Sequence, residues 1–129
     1  GHFSENPIRF MQENFDINEL LSVIDTKDFD KIQVSFVNRK GRLEATFDKD
    51  GDLVETYQQF KNIALPRNVR EQLYNENKGW SMLKNKYVAS GKGSKMDKQK
   101  YRIRLSNGNQ NKSITIIPAV TAGGSVASN

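Results

Sequence analysis

A chain of 129 residues, 36% apolar and 27% charged, is long enough for one compact domain or two very small halves sharing a core. It contains no cysteine, which excludes disulfides, thiolate nucleophiles and cysteine-ligated metals, and no apolar run reaches the ~20 residues of a membrane-crossing helix. The formal charge of +5 is unevenly placed: residues 1–64 carry 8 Lys/Arg against 12 Asp/Glu, and residues 65–129 carry 12 against 3. A split of this kind suits a polyanion-binding half, two halves that attract each other, or simple solubility.

The chain starts at Gly1 rather than Met, which reads as a cut end, either a processed signal peptide or a protease scar; the first is the preferred reading and gives the expectation of a mature exported protein. Residues 1–15 show no assignable pattern. Asp16 and Glu19 then have capping-box spacing, and Ile17, Leu20, Leu21 and Ile24 fall on one helical face, so a helix is predicted that stops near Asp25. Three strands follow. KIQVSFVN (31–38) and GRLEATFD (41–48) alternate with period 2, and DLVETYQQF alternates through Leu53, Glu55 and Tyr57. In LPRNVREQLYNENKGW, Pro66 reads as the first helical residue, Val69 and Leu73 share a face, and Gly79 suits a left-handed cap. WSMLKNKYVAS (80–90), KYRIRLS (100–106) and SITII read as three more strands. A loop over 91–98 is expected between the first two, and an Asn107-Gly108 turn before the last. The predicted organisation is therefore α+β, with tandem helix-plus-antiparallel-sheet halves at 16–60 and 61–118 forming one domain, helices on one face, and a loose tail at 119–129.

DGDLVETYQQF, ALPRNVREQL, the Gly79-Trp80 junction and the Lys/Tyr-rich strands after it together resemble the secreted bacterial PepSY-like family, also described as beta-lactamase-inhibitor-like. The similarity spans about residues 31–118 and lies in the order strand ending in Asp-Gly, strand, Leu-Pro-initiated helix, Gly-Trp, strand, strand. It implies tandem α/β halves in a periplasmic or secreted protein, with no catalytic residues to carry over and inhibitor-like engagement of another protein as a possible role.

Several motifs suggest chemistry, but each has a plainer reading. FDKDGDL places Asp48, Asp50 and Asp52 around Gly51, yet an EF-hand counted from Asp48 would put Leu53 and Gln59 where it needs Gly and Glu. A hairpin turn is expected instead. Ser81-Met82-Leu83-Lys84 matches the S-x-x-K string of acyl-transfer enzymes but lies in a predicted strand, without SDN or KTG partners. GKGSK (91–95) lacks the spacing and the following helix of a phosphate loop. The only histidine is His2, near the start of the chain, and Glu44 and Glu55 are carboxylates able to face each other across strands. No enzyme, cofactor or metal site is expected.

The strongest signal is basic. From residue 84 to 104 there are Lys84, Lys86, Lys92, Lys95, Lys98, Lys100, Arg102 and Arg104 against Asp97 alone. Alternation puts Lys98, Lys100, Arg102 and Arg104 on one face of a strand and Lys84 and Lys86 on one face of its neighbour, with Tyr101 turned inward. The expected function is a non-catalytic, inhibitor-like binding module that engages a protein partner through Lys84, Lys86, Lys100, Arg102 and Arg104, with Trp80 as an aromatic contact. The alternative is a binder of acidic polymers, an anionic glycan or nucleic acid, through segment 84–104.

Overall fold

Strands of alternating polarity joined by very short polar turns pair readily with their sequence neighbours, and this chain builds each three-stranded half of its sheet that way. The computed structural model describes residues 2–118. It is α+β. Helices α1 (His2–Glu5), α2 (Pro7–Asn14) and α3 (Ile17–Val23) and a 3-10 turn (Thr26–Asp28) precede strands β1 (Lys31–Asn38), β2 (Gly41–Asp48) and β3 (Leu53–Lys61). Helix α4 (Arg67–Glu76) leads to β4 (Ser81–Lys92), β5 (Lys95–Ser106) and β6 (Asn111–Ile116). The six strands form one antiparallel sheet in the order β1-β2-β3-β4-β5-β6. The tail at 119–129 expected to be loose lies outside the described residues.

Local chemistry accounts for the element ends. The Asp16 carboxylate accepts from the Asn18 N–H at 2.9 Å and starts α3. Helix α2, which has no assignable pattern in sequence, begins with the same kind of signal: the Asn6 side chain accepts from the Arg9 N–H, and Pro7 stands at the first turn. Its Ile8 and Met11, three residues apart, are buried. Pro66 sits one residue before α4, in extended backbone, rather than inside it. Gly79 has φ +85°, but it lies two residues beyond the Asn77 cap, in a turn closed by the Trp80 N–H donating to the Asn77 carbonyl at 3.1 Å, so it serves that turn rather than the predicted cap.

The core consists of two buried clusters. Ile8, Met11 and Ile17 share one with Leu43, Ala45 and Phe47 of β2. Val69 and Leu73 of α4 share the other with Tyr87, Ala89, Tyr101, Ile103, Leu105 and Ile116. Asn85 joins β4 to the crossover that precedes α4. Its side chain accepts from the Ile63 N–H and donates to the Ile63 carbonyl, while Asn62 takes φ +53° and accepts from the Asn85 N–H.

Three bulges change which side chains share a face. The register jumps from Thr46↔Glu55 to Phe47↔Leu53, so Val54 is the extra residue. Leu53 therefore packs on the core while Glu55 and Tyr57 face the other way, and the predicted Leu53–Glu55–Tyr57 face does not exist. The inner residues of β3 are Thr56, Gln58 and Phe60, all buried. A second bulge skips Leu83, and a third skips Asp97. The predicted 91–98 loop is instead paired strand: β4 and β5 run to Lys92↔Lys95, leaving only Gly93 and Ser94 as the turn. Alternating charge with few apolar residues hid this extension from a hydrophobicity pattern.

Gly91 lies at the third bulge, where an added Cβ would fall 1.9 Å from the Lys95 carbonyl oxygen. Gly91→Ala should lower the unfolding free energy by about 1–3 kcal/mol, read as a lower urea midpoint at unchanged slope. Burial pushes the Tyr101 hydroxyl up to about 12, and burial with the neighbouring Tyr101 raises Tyr87 further still. An unfolded chain releases these protons above pH 10.0 while the folded chain holds them, so this contribution is complete below pH 10.0 and lost as pH climbs towards 12. Tyrosinate absorbance should show a component ionising well above pH 10.0 that Tyr87→Phe/Tyr101→Phe lacks.

Candidate functional site

The register of the second half settles where the basic residues meet. Lys84 pairs with Arg104 and Lys86 with Arg102, both directly across β4 and β5. On the other side of β4, Lys61 pairs with Lys86. One row of the sheet thus reads Lys61, Lys86, Arg102, Thr115, and the next Lys84, Arg104, Ser113. Lys100 follows one row further on, opposite Val88. Directly opposed side chains stand about 4.5–5.5 Å apart at Cβ. These residues are on the face away from both buried clusters, and all but Lys100 border a shallow depression of about 610 Å³.

Like charges directly opposed across strands cost stability. Among the described residues, none of Lys61, Lys84, Lys86, Lys100, Arg102 and Arg104 forms an ion pair with a carboxylate. Arg104 donates to the Ser113 hydroxyl at 3.1 Å, which orients its guanidinium without neutralising it. The acidic groups of the same face lie toward the first half. There Arg42 pairs with Glu44 at 2.7 Å and stands over the Tyr57 ring, its Cζ 5.8 Å from the centroid. Charge on this face is therefore polarised along the sheet.

Five of the six residues expected from sequence come together: Lys84, Lys86, Lys100, Arg102 and Arg104. Trp80 does not join them. Its even spacing from Lys84 and Lys86 suggests a common face, but the extra Leu83 reverses the alternation. Trp80 is half-buried against the α4 cluster, and Lys112 places its Nζ 4.3 Å from the ring centroid. Lys61 is the residue that sequence reading missed. It lies outside the basic run, and only the β3–β4 pairing brings it in.

The other motifs resolve as follows. Asp48 Oδ1 accepts from the N–H groups of Asp50 and Asp52, both at 3.0 Å, and Gly51 has φ +87°, so FDKDGDL is a side-chain-braced turn. The three carboxylates come within 4.8 Å of one another, but Asp48 serves the turn itself. Ser81 and Lys84 lie in β4 on either side of its bulge, and GKGSK is the β4–β5 hairpin. Glu44 stands opposite Tyr57, and Glu55 opposite Thr46 and Lys92, so the two carboxylates do not face each other. No helix among the described residues is long and apolar enough to cross a membrane. No protein-family model, curated protein or solved structure matches the chain.

If opposed cations carry a standing repulsion, removing one should stabilise the protein. Lys86→Glu, which places a carboxylate between Lys61 and Arg102, should gain about 0.2–1 kcal/mol at low salt. The gain should shrink sharply between about 0.01 M and 0.3 M salt, measured by urea denaturation at each.

Proposed function

We propose that this chain is an exported, non-catalytic binding module of PepSY-like organisation, two helix-plus-three-strand halves in tandem, whose cationic sheet face holds an acidic protein partner, with inhibition of that partner as one form the role can take. One observation carries the reading: Lys61, Lys84, Lys86, Arg102 and Arg104 are stacked as opposed like charges without a carboxylate to neutralise them. Repulsion between them is relieved when an anionic surface docks, so folding strain is converted into binding energy. The PepSY-like element order and the β-meander on each side of α4 support the tandem reading.

A second reading, binding of an acidic polymer, is favoured by the regular rows of cations, which match a repeating anion. Single-stranded nucleic acid is the least suited polymer, because Tyr101 is buried, Trp80 packs elsewhere and the Tyr57 ring already stands under Arg42, so among the described residues no free stacking ring lies between these cations.

The test is capture from an envelope extract with rising salt washes, in parallel with a bait carrying Lys100→Gln, Arg102→Gln and Arg104→Gln, followed by titration of any recovered protein against both. The expected result is one protein retained at moderate salt, bound at least about tenfold more weakly by the triple variant. Recovery of polyanion alone, lost at moderate salt, overturns the protein-partner reading in favour of the polymer. Equal capture by both baits overturns both.

A further inference from the structure

The opposite face of the sheet holds a cleft that the cationic site does not use. It has a volume of about 790 Å³, within the range of small-molecule sites. Its origin lies in the two separate buried clusters. The α2–α3 residues cover β2, the α4 residues cover β4 to β6, and the strip between them runs through Gln58 on β3. Here the inward positions stop being apolar. Gln58 and Gln99 are 2% and 4% exposed, in one row with Ala89 between them, and Tyr87 and Tyr101 stand opposed in the next row.

This polar floor has hydrogen-bonding capacity that the protein does not fill. Gln99 does not line the cleft itself; it is bonded to the lining Tyr87, and its Nε2 is buried without a partner. Gln58 Nε2 reaches only the Met96 sulfur, at 3.8 Å. The Tyr87 hydroxyl is committed to Gln99 Oε1 at 2.9 Å, whereas the Tyr101 hydroxyl has no hydrogen-bond partner among the described residues. A buried polar group left unpaired costs about 1–3 kcal/mol, and the weakly bonded Gln58 amide and the unbonded Tyr101 hydroxyl leave the floor of the cleft able to bond an occupant. The walls are apolar, from Pro7 and Ile8 on one side and Ile63, Ala64 and Pro66 on the other. The β1–β2 turn brings Arg39 and Lys40 to the mouth, with Glu5 across from them. Neither cation forms an ion pair among the described residues, and Lys40 reaches only the Asn62 carbonyl, at 3.4 Å.

We propose that this cleft binds a small amphipathic anion, an aromatic or alicyclic body with a polar substituent on the Gln58–Tyr101 floor and its carboxylate or sulfonate at Arg39 and Lys40. The site is independent of the cationic face, since the two lie on opposite sides of the sheet. It gives a reason for an amide at Gln58, where a purely structural sheet would place an apolar side chain.

The probe is 8-anilinonaphthalene-1-sulfonate, read by its fluorescence with the native protein at neutral pH, and 2-naphthoate is the non-fluorescent competitor. The expected result is saturable binding of one probe per chain, displaced by 2-naphthoate. Ala64→Trp, a change at an exposed position on the wall, should weaken it at least about tenfold, and Lys40→Gln a few-fold. The variant with Lys100→Gln, Arg102→Gln and Arg104→Gln should bind as the parent does. Tyr101→Phe keeps the ring packing and should weaken 6-hydroxy-2-naphthoate, whose hydroxyl reaches the floor, more than 2-naphthoate, which has none, without lowering the melting temperature. Binding that never saturates, that survives Ala64→Trp unchanged, or that is lost in the outer-face variant would overturn the proposal. In the first two cases the cleft holds only ordered water, and in the third the anion sits on the other face.

Discussion

The pairing of β3 with β4 is the constraint on which the rest depends. These strands are separated in sequence by α4, yet Glu55–Lys61 lie in register against Lys86–Lys92 and make one six-stranded sheet out of two three-stranded meanders. The Asn62–Asn85 exchange and the two bonds between Asn85 and Ile63 lock the end of this seam. Without it Lys61 has no place beside Lys86, and Gln58 has none beside Ala89. The seam thus sets the geometry of both faces at once. On the outer face it extends a basic row across three strands, and on the inner face it brings the amide strip between the two buried clusters.

Electrostatics and burial act in opposite directions on these two faces. Outside, water screens opposed charges and keeps their repulsion tolerable, so a cationic row costs tenths of a kcal/mol rather than several. Inside, the low dielectric makes unmet hydrogen bonds expensive, which is why one unpaired amide at Gln99 is as notable as several lysines outside. Both features depart from what a sheet needs merely to fold. Such departures are where binding is to be sought, and the two partners proposed above, an acidic macromolecule outside and a small anion inside, differ in class for that reason.

Strand existence and most strand limits were legible because period-2 alternation is strong in KIQVSFVN, GRLEATFD and KYRIRLS. The α+β class and antiparallel sheet followed directly. Single-residue bulges were not legible, because nothing in local composition marks Val54, Leu83 or Asp97 as an extra residue. Their effect is large, since each one exchanges the faces of every residue beyond it. Val54 hid the amide strip by making Glu55 and Tyr57 look like the core side, and Leu83 made Trp80 look like a neighbour of Lys84. Lys61 was hidden for another reason: its membership depends on a long-range pairing that no window of sequence contains. The five cations of β4 and β5 were found because an alternating run within one hairpin carries its own register.

The claim at the centre of this account is that the cations on β3, β4 and β5 act as one surface. Backbone amide shifts of the labelled chain, followed during titration with a glutamate-rich peptide, test it most directly. The account predicts saturable shifts concentrated at Lys61, Lys84, Lys86, Arg102 and Arg104, with Lys27, Lys31 and Lys78 left unmoved. Small, non-saturating shifts spread over every lysine and arginine would contradict it and reduce the basic strands to a solvated face.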